Sequence, residues 1–468
     1  MSARTRVRAR VAFERELTTW LFLLCAAVLS GWVAGVAPVA AKGVRVFGPK
    51  VISRDTPLPK RCDGRRQETD TMLAADPADG RHLVATWDVD AHRSNVTAVS
   101  RNSGETWKIA RVPGISKCTG GASDQVVDPF VAIGAGGRAL FTSLPLSVSG
   151  FLTNRSASGG STWSAPSAAD PSAGFTDDLP SLVAHPTDPM RAFLTWSHFD
   201  YTGNVQTGGD ARFARSTDGG ATWGAPVEIR SSPPGKAIVE SRLRLLPDQT
   251  LLDVFGEPPA QPLTAVEQMY STRSSDSGQT WSPPVRIGQM AQNPIRDPDS
   301  RKPIYAFCCL FSFATRGQNA YLAFTKVAGV DSGKVFVAHS ANGGQSWGKP
   351  RAVTSIRAQT LIPTVAVADD GTVGITWYDF RHDKRHDKPL TTDYWFAYSR
   401  DRAKHWHRSH LGGPFDLRSS PRKDRPVGVY EGLTGLKHGF ATTFIQAKPK
   451  ATLGADDVFF ARLALPKP

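Results

Sequence analysis

The nine residues RSTDGGATW, Arg215–Trp223, are small and polar, carry two glycines, and stop at a tryptophan. Close variants return along the chain: SRNSGETW, SASGGSTW, RSSDSGQTW, HSANGGQSW and the frayed YSRDRAKHW. Their tryptophans stand at Trp107, Trp163, Trp223, Trp281, Trp347 and Trp406, spaced 56 to 66 residues apart. Recurrence at such a period marks a repeat architecture, in which no unit buries its apolar face alone.

Around each loop the same grammar repeats. The sixth unit runs PTVAVADDG, TVGITWYDF, DYWFAYS, the loop, then HRSHL. The third fills the same slots with PSLVAHPTD, RAFLTWSHF, ARFARS, the loop and PVEIRS. Period-two alternation broken by Gly, Asp and Pro reads as short strands and tight turns. Four strands per unit, repeated radially, predict an all-β fold, a β-propeller. The loop falls between the third and fourth strands. There Asp218 or Asp276 can accept N–H bonds within its own turn, and Gly220 and Gly278 can supply positive φ. The tryptophan is expected to anchor the hairpin against its blade.

Six loops close six blades. After the sixth come GVYEGLTGLKHGFATTFIQAK and DDVFFARLAL, three more strands without a loop. The N-terminal VRVFGPKVI is a strand without a blade. Pairing the two ends would close the ring and remove exposed edges. The expectation is therefore one propeller over residues 44–465 with seven blades, with six as the alternative.

The N-terminus reads as an address. Arg4, Arg6, Arg8 and Arg10 precede the apolar run TTWLFLLCAAVLSGWVAGVAPVAA, with small residues at Val39–Ala41. This is an export-signal pattern, and a run of that length can also span a bilayer. Residues 1–41 are expected to be a signal peptide, or else an uncleaved anchor. Either way the propeller is exported, secreted, periplasmic or on the cell surface, with a membrane association only through that segment.

Of five cysteines, Cys25 lies in the signal. Cys62 and Cys118 flank the first unit and are the preferred disulfide pair in an oxidising compartment. The adjacent Cys308 and Cys309 leave open a vicinal bridge or two reduced thiols. No CxxC or His/Cys cluster of zinc spacing is present, so no metal or cofactor is expected. The formal charge of +14 is spread out except in FRHDKRHDK and SRDRAKHWHR, where interspersed Asp makes poor nucleic-acid patches. A monomer without nucleic-acid partners is expected.

Propellers bind ligands where inner strands converge at the channel mouth. The segments placed there carry Glu68 and Asp70, Asp124 and Asp128, Asp177 and Asp178, Glu240 and Arg242, Asp379 and Arg381, and Tyr430 and Glu431. Paired carboxylates suit glycoside cleavage, although Asp also caps turns at strand starts.

The pattern Ser-x-Asp-x-Gly-x-Thr-Trp resembles the Asp-box, or bacterial neuraminidase repeat, of the sialidase-like propeller superfamily. The resemblance covers nearly all of 44–465. Individual loops depart from it: Asn102, Ser158 and Asn342 replace Asp, and the sixth has Ala403 and His405 where Gly and Thr belong. It implies a tyrosine nucleophile with a glutamate partner, an aspartate acid/base and an arginine clamp for a substrate carboxylate. Tyr430 in VYEGLTGLKHG matches the tyrosine, Glu240 in VESRLRLLPDQ the glutamate, and Asp88 or Asp90 in WDVDAHR the acid. Arg242, Tyr378, Asp379, Arg381, Asp128 and Asp178 are the implied substrate-binding residues. At the slot of the first clamping arginine stands Asp70, in ETDTMLAAD. The resemblance thus implies a glycan-directed propeller without the full clamp, acting on a sugar other than sialic acid.

Three readings follow: an exported glycoside hydrolase or lyase, a non-catalytic glycan-binding propeller, and a structural or protein-binding propeller. The second draws on aromatics in connecting loops, Phe199 and Tyr201 in SHFDYTG and Tyr378 and Phe380 in TWYDFRH. Fold alone does not choose among them.

Overall fold

The computed structural model describes residues 43–62, 67–170, 177–260, 266–291, 294–305, 311–329, 332–422, 426–448 and 456–467. Residues 1–41, expected to be an export signal or anchor, and the adjacent Cys308 and Cys309 lie outside these residues. Seven four-stranded antiparallel sheets follow one another along the chain. They form a seven-bladed β-propeller, and among the described residues the only helices are single 3₁₀ turns.

Blade one comprises Thr69–Ala75, Leu83–Val89, Ser94–Ser100 and Lys108–Arg111, innermost strand first. Blades two to six repeat that order, with inner strands Val126–Ile133, Asp177–Ala184, Val239–Leu245, Ser312–Arg316 and Thr360–Val367. Blade seven takes Gly432–Leu436, Gly439–Ala447 and Asp456–Ala464 from the C-terminus and Arg45–Val51 from the N-terminus. Arg45 pairs with Ala464 and Val51 with Phe459 in that closing ladder. Both ends are thereby held in one sheet, and the ring has no open seam. A disulfide joins Cys62 to Cys118, bridging the segments that lead into the inner strands of blades one and two.

The second strands do not show the alternation that the sequence suggests. Leu83–Val89, Ala139–Pro145, Leu251–Glu257 and Val373–Asp379 are buried at every residue. Each lies in a blade covered on both faces by its neighbours, so polar positions must find partners inside. Trp87, Trp196 and Trp377 hold the same place in the second strands of blades one, three and six and are at most 1 % exposed.

The recurring loop fastens one blade to the preceding one. Thr222 donates from its amide to Asp218 Oδ1 at 2.9 Å, and Gly220 donates to Ser216 Oγ at 2.8 Å. Burial is the largest single influence on Asp218 and raises it, but its several bonds, from Thr222 and Ser216 foremost, together outweigh it and hold the carboxyl down to about 2. The half-buried Trp223 leaves its own hairpin and donates Nε1–H to Thr153 of blade two at 2.8 Å. Trp163 does the same to Thr97 of blade one, and Trp347 to Ser271 of blade four. Trp281 meets Phe213 of blade three edge-on at 5.7 Å. The tryptophan therefore seals the seam between blades rather than bracing only its own.

The departures from the repeat keep the turn by other atoms. Asn102 Oδ1, Ser158 Oγ and Asn342 Oδ1 each accept the amide that Asp218 accepts in blade three. In the sixth loop His405 Nδ1 reaches Asp401 Oδ2 at 2.5 Å, in the role of the threonine hydroxyl.

The chain direction places the loops and the first-to-second-strand turns on one face. The starts of the inner strands lie on the other, which is the mouth. Blade three rises highest there, with strands of 11 and 12 residues, Ala192–Thr202 and Val205–Ser216. A short hairpin, Ile295–Arg296 with Pro303–Tyr305, also sits on the mouth side. Arg418 from blade six grips it, donating to Asp297 Oδ2 at 2.7 Å and to Asp299 Oδ2 at 3.0 Å.

Candidate functional site

A shared backbone device opens the inner strands. Asp70, Asp128, Leu179, Glu240 and Ile362 all have φ between 51° and 58°. At each of them the pairing with the second strand shifts register, so the residue sits in a bulge. A bulge re-aims a side chain. Left-handed backbone in a non-glycine residue costs about 1–3 kcal/mol and persists only where surrounding structure enforces it. Three of the five residues are carboxylic acids, and each stands two residues before a residue that lines a channel cavity of about 360 Å³, Met72, Phe130 and Arg242.

Tyr430 forms part of that cavity's wall. Its hydroxyl donates to Asp128 Oδ1 at 2.5 Å. Its ring meets Phe130 edge-on at 5.4 Å, and the Arg242 guanidinium lies over it at 5.4 Å. Burial pushes the Tyr430 phenol well up, and the neighbouring Asp128 carboxyl adds to the shift. Burial likewise raises Asp128 well above the carboxylate range, with Asp178 alongside as the second cause. A carboxylate of raised pKa is the stronger proton acceptor for a phenol.

The expected Tyr430–Glu240 bond is replaced by a relay. Glu240 Oε1 accepts from Arg242 Nε at 3.3 Å and Nη2 at 3.2 Å, and its Oε2 accepts the Phe311 amide at 2.8 Å. Both its oxygens are engaged, and the tyrosine hydroxyl donates to Asp128 instead. Burial lifts Glu240 to about 7, partly offset by Arg242 and the Phe311 N–H. Arg242 Nη1 donates to Pro180 O at 3.0 Å, so this arginine is a stacked strut and its charge is matched locally.

Asp88 is fully buried at the end of blade one's second strand. It accepts from Asn95 Nδ2 and pairs with His92 Nδ1 at 2.5 Å. Burial lifts Asp88 to about 7 against the pull of His92, and Asp70 and Asp128 push it further. Asp70, Asp88 and His92 offer ligand atoms within 4.8 Å of one another, the spacing of a metal cluster. Arg422 Nη1 stands 2.6 Å from His92 Nε2, however, and an arginine there needs a lone pair to donate to. Asp88 favours a charged imidazole, but that contact fits only the neutral tautomer with its proton on Nδ1. Both ring nitrogens are engaged, and the donor set does not fit a metal ion.

The remaining expected residues divide. Asp178 is half-buried beside Asp128. Asp90 is buried in the turn after Asp88 with φ of 53°. Tyr201 stands 48 % exposed at the tip of blade three's long hairpin, within reach of the Asp178 charge. Tyr378 is sealed from solvent, donating to Glu431 Oε1 at 2.5 Å and accepting the Ile445 amide at 2.9 Å, so it cannot stack on a sugar. Asp379 is sealed too, tied to Trp377 Nε1 and to Arg381, whose guanidinium lies 3.7 Å above the Trp395 ring. Both belong to the internal packing of blade six.

Sequence reasoning missed the pairing of Asp128 with Tyr430 and the parts played by His92, Asn95 and Arg422. ETD, VVD and IVE place acids at the starts of three inner strands, but 302 residues separate Asp128 from its partner. A second cavity of about 320 Å³ lies on the loop face between blades two and three, lined by Arg138, Arg155, Arg191 and Trp163, remote from Tyr430.

No protein-family model matches the chain, and no curated protein matches it in sequence. Solved structures do resemble it in fold. A Dyadobacter fermentans protein of unknown function is 14 % identical, with a TM-score of 0.48 over 91 % of this chain and 100 % of that one. The Hadza microbial sialidase is 14 % identical, with a TM-score of 0.47 over 82 % of this chain and 73 % of that one. A thermostable family-43 glycoside hydrolase is 13 % identical, with a TM-score of 0.37 over 62 % of this chain and 96 % of that one.

Proposed function

We propose that this is an exported propeller whose mouth cleaves a glycosidic bond, with Tyr430 as nucleophile and Asp128 as the base that receives its proton. The hydrogen bond of 2.5 Å between them, at the wall of the channel cavity, carries the reading. In the first step the Tyr430 oxygen bonds to the anomeric carbon and its proton passes to Asp128. The bond from that carbon to the leaving oxygen breaks, and a carboxyl donates a proton to the departing group. Asp178 fills that role better than Asp88. It is half-buried at the mouth, whereas Asp88 is sealed and held by Asn95 and His92. Water then attacks the same carbon, gives its proton to Asp178, and releases the tyrosine, which recovers its proton from Asp128. Arg242 and Glu240 position the ring. Residues 1–41 export the chain, as a cleaved signal or a retained anchor.

The exposed Tyr201 supports a second reading, a glycan-binding propeller without turnover. A panel of fluorogenic glycosides, assayed with wild type and Tyr430→Phe, separates the two. Turnover reduced at least about a thousandfold by Tyr430→Phe, with binding changed only a few-fold, is the expected result. Glycan binding that is equal in both proteins, with turnover in neither, moves the assignment to the binding propeller.

A further inference from the structure

We propose that the cavity between blades two and three, on the loop face, is a second binding site that takes an acidic sugar by its carboxylate or sulfate group. The inference is independent of the chemistry at the mouth. Arg138, Arg155 and Arg191 line this cavity of about 320 Å³ against one acid, Asp188, so two positive charges are left over. His185 adds none, since its Nδ1 accepts the Asp188 amide at 2.9 Å. Among the described residues the Arg138 and Arg155 guanidinium groups have neither an ion pair nor a hydrogen bond.

The next seam shows what these two arginines lack. Arg191 directly precedes the second strand of blade three, and Arg215 directly precedes Ser216 of its loop. Both reach across to Ser277 in the loop of blade four. Arg191 Nη2 donates to its Oγ at 3.0 Å, and Arg215 Nη1 to its carbonyl at 3.5 Å. Arg138 and Arg155 hold the same two positions in blade two, because Ala139 pairs with Ser156 as Ala192 pairs with Ser216. The counterpart of Ser277 in the loop of blade three is Gly219, which has no side chain and lines the cavity. In blade one the position of Arg138 is held by His82, whose Nε2 donates to Gly159 O of the blade-two loop at 2.8 Å. The clasp is thus closed in the seams on either side and open in this one. An oxyanion would supply the missing acceptor oxygens, and guanidinium groups take carboxylate and sulfate by paired, charge-assisted bonds.

Trp163 points to a sugar as the carrier. Its half-buried ring lines the same cavity and is fixed by the bond from Nε1 to Thr97, so an apolar surface stands beside the two arginines. The volume lies at the lower end of the range for ligand pockets, about 300–1,000 Å³. A nucleic acid is favoured by many phosphate contacts, whereas Arg101 and Arg215 in the adjoining seams are already turned to Ser158 O and Ser277 O.

The test is a calorimetric titration of the full chain with a uronic-acid disaccharide, its methyl ester, a sulfated disaccharide, inorganic sulfate and a short single-stranded DNA. The ester removes the charge and keeps the rings. At least one acidic disaccharide is expected to bind about tenfold or more tightly than the ester and than inorganic sulfate. The double variant Arg138→Gln, Arg155→Gln alters two exposed side chains and should lose that binding by about tenfold or more. Arg286→Gln, an exposed arginine on blade four, and Tyr430→Phe at the mouth should both bind as wild type does. No binding of either acidic disaccharide, or an equal loss in Arg286→Gln, overturns the site. Inorganic sulfate binding as tightly as the sugars, or DNA binding more tightly and lost in the double variant, overturns the sugar as occupant. Loss in Tyr430→Phe would move the binding to the mouth and overturn the inference, while none of the other outcomes touches the proposed glycosidase chemistry.

Discussion

Gly220 on the loop face and Asp128 at the mouth have similar left-handed backbones, with φ of 83° and 53°. The loop face meets that demand mostly with glycine, although Ser103, Ser277, Arg402 and Ala403 adopt it there too. At two positions glycine is also needed for space, since a Cβ on Gly220 would stand 2.9 Å from Leu140, and one on Gly278 only 2.2 Å from the Phe213 ring. The mouth meets the demand with Asp70, Asp128 and Glu240, which keep their side chains in spite of the strain. The loop face is thus optimised for stability. The mouth retains chemical groups at a cost to stability, which is how functional sites are commonly arranged.

Four measurements break or sharpen this contrast. The largest effect is expected from Gly278→Ala. Its new Cβ adds left-handed strain to a collision with the seam, and together these should destabilise the protein by about 3–5 kcal/mol. Chemical denaturation measures it, and a loss below about 1 kcal/mol would show that the seam yields. Next comes Trp223→Ala. It removes the partly buried ring and the bond to Thr153, for about 2–3 kcal/mol, while glycan affinity at the mouth stays unchanged. A change in specificity without a change in stability would undo the division between faces.

Asp70→Gly tests the mouth. Relief of strain at φ of 54° offsets the lost bond from the Val429 amide, so stability should move by less than about 1 kcal/mol. Ligand binding should nevertheless weaken. A large destabilisation would make Asp70 a structural residue.

The smallest effect is a slope. Asp88 and Glu240 titrate near 7 in the fold, against 3.8 and 4.5 as ordinary values. A folded state that holds its protons longer loses stability as pH rises through that window, from the ordinary values up to about 7. Asp88→Asn should flatten the decline, as read from denaturation midpoints across the window. An unchanged slope would place the strain elsewhere.

The propeller was legible because its signal is local and repeated. Ser216, Asp218, Gly220 and Trp223 lie within eight residues, and the other loops copy their spacing. Even the seventh blade could be inferred from orphan strands at the two ends. The seam role of Trp223 was not legible, because Thr153 belongs to another unit. The all-buried second strands escaped for the same reason: their covering faces come from neighbouring blades.

At the mouth, Tyr430, Glu240, Arg242, Asp128 and Asp178 could be picked out as residues opening inner strands. Their pairing could not. Whether Tyr430 meets Glu240 or Asp128 depends on how far around the ring each blade stands. Tyr378 and Arg381 looked like surface groups in TWYDFRH, yet blade six folds Tyr378 inward onto Glu431 and Ile445. Turn chemistry and strand periodicity, which act over a few residues, were settled by the sequence alone. Which carboxyl shares a proton with the tyrosine, and which arginine is already matched, was decided only when ring closure brought distant strand starts together.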